Sequence, residues 1–268
     1  MKSFSCGIFV LLAWAVNSLA TGIFSEDFNS YANGNLTNQG PWLQTAAAAN
    51  PIQVSSGKAF LITSGQDVYA PFSAPNNPYT IADGTSFYIG LTLNVSAAQA
   101  TGDYFLHVTP SAGNSFAFFE RLYVKSSGAG FVLGYLETSG TGGAVNYGST
   151  VLTFNTDYRT VIAYNAVAGP VNDTASVYVN PTDRSIEANN TAEISLDAWT
   201  TVSAETNKVA AINLRQGSAA NAATLSVDNL SVGTTFSDVA AVPEPRSLFL
   251  FGGLGLLAWS FIRRGRAA

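Results

Sequence analysis

Short apolar and aromatic runs, broken at close intervals by Gly, Asn, Asp, Ser and Pro, constrain this chain more than any other feature. The clearest are KAFLIT (58–63), SFYIGLTLNV (86–95), DYFLHVTP (103–110), FAFFERLYVK (116–125), GFVLGYLE (130–137), RTVIAYNAV (159–167), TASVYVNP (174–181), KVAAINLRQ (208–216) and ATLSVDNLSVG (223–233). They are rich in Phe, Tyr, Val, Ile and Thr, residues that pack well on a pleated, half-buried surface. Several alternate with period two, as a strand requires. Ala175, Val177 and Val179 oppose Thr174, Ser176 and Tyr178, and further on Val227, Asn229 and Ser231 oppose Asp228, Leu230 and Val232. No stretch keeps helical periodicity over roughly eleven residues. The nearest exceptions, TAAAANP (45–51) and VSAAQATG (95–102), are short and end in Pro or Gly. The expected fold is therefore all-β, a single domain of about nine strands in two antiparallel sheets packed as a sandwich, with a barrel as the alternative.

The two ends differ from this body. MKSFSCGIFVLLAWAVNSLA (1–20) combines Lys2, an apolar Ile8 to Val16 and a small-x-small Ser18-Leu19-Ala20, the parts of a secretory signal peptide too short to span a bilayer comfortably. The only cysteine, Cys6, falls inside it. The mature chain would then have no disulfide, no thiol nucleophile and no Cys-ligated zinc, leaving stability to an apolar core. Between Thr21 and Ala240 stand 16 Asp and Glu against 7 Lys and Arg, a net of −9. Such a body lacks the clustered cations that phosphate backbones demand, which excludes nucleic acid as a partner.

The other end is VPEPRSLFLFGGLGLLAWSFIRRGRAA (242–268). Pro243 and Pro245 fix two φ angles and keep VPEP extended. Ser247 to Ile262 then runs without a charge, about 24 Å at helical rise. Arg263, Arg264 and Arg266 follow as a basic cluster that the positive-inside rule keeps cytoplasmic. A membrane helix over 247–262 is expected. Val242, Pro243, Glu244 and Pro245, the apolar run and the arginines, in that order at the C-terminus of a chain with an N-terminal signal, resemble the PEP-CTERM sorting signal of Gram-negative bacteria. The resemblance implies an exosortase as partner. That enzyme would recognise the tail and process it near the motif, sending the protein to the cell envelope or to an exopolysaccharide matrix. Residues 241–268 are thus expected to act as a detachable address, and 21–240 as the working domain.

Three stretches of the body carry a second resemblance: SEDFNSYANGNLTNQGPWLQ (25–44), RTVIAYNAV with TASVYVNPTD, and AINLRQGSAANAATLSVDNLSVGTTFSDV (211–239). Their order is similar to secreted bacterial domains with the concanavalin A-like, laminin G-type jelly-roll sandwich. In those domains a D-F-x-x-Y strand, matched here by Asp27, Phe28 and Tyr31, pairs in one sheet with a C-terminal D-N-L-x-V-G-T-x-x-x-D-V strand. The second motif is matched by Asp228, Asn229, Leu230, Val232, Gly233, Thr234, Asp238 and Val239. Joining first and last strands would tie both termini down, with Phe28, Tyr31 and Trp42 as core or sheet-surface aromatics.

Catalytic signals are sparse. His107, the only histidine, sits in an alternating apolar strand and is read as structural. There is no G-x-S-x-G elbow, and the S-x-x-K match at Ser55 to Lys58 lacks its companion motifs. Glycosidases pair carboxylates about 5–10 Å apart, but Glu120 is solitary, Glu26 and Asp27 are adjacent and point to opposite faces, and Glu193 and Asp197 straddle a turn. No catalytic residue is assigned and no enzyme activity is expected. Asp27, Asn29, Asp228 and Asn229 are suitable hard ligands for calcium, and equally what turns use to satisfy their own backbone. Tyr69, Phe72, Tyr79, Trp42 and Trp199 are candidate sugar platforms, indistinguishable by sequence from core. The expected role is that of an exported, non-enzymatic envelope or matrix protein. The alternative is a carbohydrate-binding module attached to exopolysaccharide, and a glycoside hydrolase ranks third.

Overall fold

Among the described residues the aromatic and β-branched runs pair as strands. The computed structural model describes residues 22–45, 48–113, 117–137, 143–196, 205 and 207–241. The expected signal peptide, and the tail from Val242 with its 247–262 helix, lie outside the described residues. Across the larger, nine-stranded sheet the order is Ile194–Leu196 (β15), Thr174–Val179 (β14), Asp157–Asn165 (β13), Ser86–Ala97 (β8), Thr224–Gly233 (β18), Lys58–Leu61 (β5), Gln53–Ser55 (β4) and Gly34–Asn35 (β2), with Phe24–Glu26 (β1) also paired to β18. The smaller sheet runs Asn146–Tyr147 (β12), Gly130–Leu136 (β11), Phe119–Ser127 (β10), Asp103–Thr109 (β9), Ala211–Leu214 (β17), Val68–Pro71 (β6) and Leu43–Gln44 (β3). Tyr79–Thr80 (β7) and Lys208–Val209 (β16) form a separate ribbon. The named strand pairs are antiparallel.

One apolar core joins the facing sides of the two sheets. Ile89, Leu91, Leu93, Ala175, Val177 and Leu225 come from the larger sheet, and Leu106, Val108, Leu122, Val124, Leu133, Ile212 and Leu214 from the smaller. Burying each large aliphatic side chain stabilises the domain by about 1.5–3 kcal/mol, which holds the layers together without disulfides. Among the described residues no ladder connects the two sheets, so the arrangement is a sandwich and the barrel alternative falls.

In β18 strict alternation fails. Val227, Leu230 and Val232 all enter the core, although period two places Val227 opposite the other two. The register slips between Asp228 and Ser231, and Asn229 takes φ 47°. This bulge inserts one extra residue and returns the strand to the same face beyond it.

β1 pairs with the end of β18, Phe24 opposite Val232 and Glu26 opposite Leu230, so the two end segments join as the resemblance implies. The strand stops before the motif, however: Asp27, Phe28 and Tyr31, expected in it, lie in the turn that follows, where Phe28 takes φ 53°. The buried Glu26 carboxylate organises the segment that follows. It accepts hydrogen bonds from Phe28 N at 2.8 Å, Trp42 Nε1 at 3.1 Å and the Tyr31 hydroxyl. The Phe28 and Trp42 rings stack at 5.8 Å, both fully buried.

After Gly233 the chain leaves the sheet, where the end motif suggests a continuing strand. Phe236–Ala240 (α1) is a short helix capped at both polar positions: Thr235 Oγ1 accepts from Asp238 N at 3.3 Å, and Asp238 Oδ2 accepts from Thr235 N at 3.1 Å. Phe236, Val239 and Ala240 cover Tyr88, Val161, Ala163 and Tyr178 on the outer side of the larger sheet. Beneath the helix, the buried Arg159 donates to the carbonyls of Asn229 and Val239 and to Ser231 Oγ. Ser96 and Ala97 prolong β8, so VSAAQATG forms no helix. No helix of the described residues is long and apolar enough to cross a membrane.

Candidate functional site

The outer side of the smaller sheet carries polar and aromatic groups where β6, β17, β9 and β10 lie side by side. On β17, Ile212 and Leu214 point into the core, so Asn213 and Arg215 point away from it. Asn213 stands directly between Tyr69 on β6 and His107 on β9. On β9 a register shift between the Leu106–Leu122 and Tyr104–Tyr123 pairs lets Tyr104 and His107, three residues apart, share the outer side. Their rings meet edge to face at 5.5 Å, and Phe118 closes on His107 at 4.6 Å. Two guanidinium groups stand by the Tyr104 ring, Arg215 at 4.2 Å and Arg121 at 5.5 Å from its centroid.

These side chains line a pocket of about 260 Å³ formed by Thr45, Asp67, Tyr104, His107, Phe118, Asn213 and Arg215. Arg215 NH1 is held by Asp103 Oδ1 at 2.8 Å and the Tyr104 carbonyl at 3.3 Å. Asp67 accepts from Gln216 N at 2.8 Å, and burial raises its carboxyl above the usual range. His107 is only 4% exposed. Burial, then the charges of Arg215 and Arg121, push its pKa down to about 3, so the imidazole is neutral at pH 7 and offers one donor and one acceptor nitrogen. Its Nδ1 has no hydrogen-bond partner among the described residues. The Asn213 carboxamide makes only long contacts, 3.4 Å to Thr109 Oγ1 and 3.5 Å to the His107 carbonyl. A buried polar atom left unpaired costs about 1–3 kcal/mol, so this pocket has hydrogen-bonding capacity that a polar ligand would satisfy. Neutral imidazole, amide, carboxylate, guanidinium and aromatic edge together suit a polyhydroxylated molecule.

The sequence-derived candidates scatter over the rest of the fold. His107 is buried in a strand, as expected of a structural histidine, yet it also walls this pocket. Among the described residues Tyr69 is the one proposed platform on this face. Phe72 and Trp42 are core, Tyr79 stacks on Phe87 at 6.1 Å, and Trp199 lies outside the described residues, as do Val242, Pro243, Glu244, Pro245, Arg263, Arg264 and Arg266. Asp27 and Asp228 accept from the backbone N–H groups of Asn29 and Asn229, serving turns. Among the described residues no group of three or more His, Cys, Asp or Glu side chains could hold a metal.

Glu120 lies buried on β10, accepting from the Tyr135 hydroxyl, and burial lifts its pKa to about 8. Elsewhere Asp83, Asp173 and Glu205 share a pocket of about 240 Å³. There Asp173 is occupied by Val167 N and the Tyr164 hydroxyl. Glu205 Oε1 is occupied by the backbone of Asn172 and Asp173.

No known family model matches the chain, and no curated protein matches it. Among solved structures it is similar to the CBM2 module of the evolved Dit of Lactobacillus casei BL23 phage J-1, at 11% identity and TM-score 0.50 over 79% of this chain and 94% of that one. It also aligns with a mutant alginate lyase Aly36B in complex with alginate trisaccharide, at 15% identity and TM-score 0.46 over 78% and 97% of the two chains. A third alignment is with the Emp47p carbohydrate recognition domain, at 11% identity and TM-score 0.47 over 79% and 94%. At such identities the likeness to the phage module concerns the fold, and it agrees with the two-sheet sandwich.

Proposed function

We propose that this chain is an exported, non-enzymatic polysaccharide-binding protein of the concanavalin A-like, jelly-roll type. Its ligand face is the outer side of the smaller sheet around His107. The observation that carries the proposal is the pocket in which Tyr104, His107, Asn213 and Arg215 converge with unused hydrogen-bonding capacity. Sugars are held by such a combination of ring faces and directional polar groups. The sandwich shared with the phage CBM2 module is compatible with this reading. The N-terminal signal and the PEP-CTERM-like tail would deliver the domain, through an exosortase, to the envelope or extracellular matrix of a Gram-negative bacterium, where polysaccharide is the abundant partner.

Affinity electrophoresis of residues 21–241 through gels containing a panel of polysaccharides tests the binding claim. Retardation by at least one polymer, lost in Tyr104→Ala and Asn213→Ala variants that keep the wild-type melting temperature, is expected. Migration unaffected by every polymer would overturn it, and release of new reducing ends would make the protein an enzyme. For the delivery claim, the intact mass of the mature protein should end near Val242 to Pro245. A chain still carrying Arg263 to Ala268 would be a permanent anchor instead.

A further inference from the structure

Charge is distributed over the body very unevenly. Of its 7 Lys and Arg residues, Arg121, Lys125 and Arg215 gather on the outer side of β10 and β17, against nearby Asp67, Asp103 and Glu137. The rest of the body has four cations against thirteen acids, a net of −9. Aromatic rings support the three cations: Lys125 Nζ stands 3.8 Å from the Tyr147 centroid, and both arginines stand beside Tyr104. Such contacts hold a cation in place without neutralising it.

Arg215 spends only one of its nitrogens on protein oxygens: NH1 makes both hydrogen bonds, to Asp103 Oδ1 and the Tyr104 carbonyl. Among the described residues Nε and NH2 carry none. A guanidinium presents donors in a planar fork that matches a carboxylate, and the remaining two donors form such a fork on the wall of the pocket. The two guanidinium charges both act on the His107 imidazole, disfavouring a further cation there, while burial holds Asp67, on the same pocket wall, toward its neutral form.

We infer that the ligand of this face is an acidic polysaccharide, one sugar carboxylate being seated on the free edge of the Arg215 guanidinium beside Tyr104, with His107 and Asn213 taking hydroxyl groups of the same residue. The inference rests on the polysaccharide-binding reading and adds the charge of the ligand. Elsewhere the acidic surface repels such a polymer, so it would approach by this face alone.

The test uses polygalacturonate and the same polymer after chemical reduction of its carboxyl groups, titrated calorimetrically into residues 21–241. The expected result is binding of the acidic form that weakens with added salt and falls at least about ten-fold on carboxyl reduction, about 1.4 kcal/mol. Arg215→Met should lose binding to a similar degree and Arg215→Lys should recover only part of it, because the point charge lacks the fork. Arg184→Gln, which removes an exposed cation from the loop after β14, should bind as wild type. Equal affinity for the two forms would overturn the carboxylate seat while leaving polysaccharide binding intact. Binding of neither form, with retardation by a neutral polymer in the gel panel, would overturn it too. Binding of no polymer in either assay would instead overturn the functional reading beneath it.

Discussion

Replacing Glu26 by Ala removes the group on which the first strand and the loop after it are built. The carboxylate receives three donors. Phe28 and Trp42 are fully buried, so Phe28 N and Trp42 Nε1 would be left without an acceptor, whereas the Tyr31 hydroxyl, on a half-exposed residue, can turn to water. Two orphaned buried donors cost about 1–3 kcal/mol each. The cavity adds little because Glu26 lies at the edge of the core, so Glu26→Ala should destabilise the domain by about 3–5 kcal/mol. For a domain of this size that corresponds to a melting temperature lowered by about 10 °C. Glu26→Gln keeps one acceptor oxygen and should recover about half of the loss, and Tyr31→Phe should cost under about 1 kcal/mol. Urea denaturation followed by Trp fluorescence measures all three, and an unchanged m-value guards against altered denatured states. A loss below about 1 kcal/mol for Glu26→Ala would mean that both donors find other acceptors and that the carboxylate does not organise this segment.

Two further outcomes follow from buried or capping carboxyl groups. Burial raises the Glu120 pKa from 4.5 to about 8, so the folded state holds this proton more tightly than the unfolded one. The stability it contributes is full below about pH 4.5 and is lost as pH rises through 8, at up to about 1.4 kcal/mol per unit. Glu120→Gln should flatten the fall of the urea midpoint between pH 5 and pH 8, and parallel profiles for the two proteins would dismiss the claim. Asp238→Ala opens the capping box of α1 and should cost about 0.5–2 kcal/mol, with amide exchange rising first at Val239 and Ala240. Uniform exchange across α1 in both proteins would contradict it.

Much of the architecture was legible because it depends on period and composition. The Ala175, Val177, Val179 face of β14 packs inward as alternation predicts. The two end segments pair as the motif resemblance implies, although the strand lies just before Asp27, Phe28 and Tyr31 rather than on them. Bulges hid the rest. An extra residue in β18 reverses the expected face of Leu230 and Val232, and no residue type announces it except Asn229, which tolerates a left-handed conformation. The same physics concealed the candidate site. Tyr104 and His107, three apart on a strand, read as opposite-facing until the β9 irregularity brings them together. Asn213 and Arg215 were visible as the polar half of AINLR, but their meeting with β9 is a contact across more than a hundred residues, set by sheet order rather than by local pattern. The apolar surroundings of His107 read as those of a structural histidine. Its burial agrees, and only the unpartnered Nδ1 and the pocket beside it give the residue a second meaning.

His107 is the only histidine in the chain, so its ring signals can be assigned without ambiguity. Nitrogen-15 NMR of that ring, recorded on residues 21–241 with and without the polysaccharide fragment that binds best, therefore tests polysaccharide binding at this face most directly. A neutral ring at pH 7 is expected, with an Nδ1 resonance that moves on saturation as the free nitrogen gains a partner. An imidazole spectrum that stays unchanged while the protein is saturated with ligand would place the binding site elsewhere.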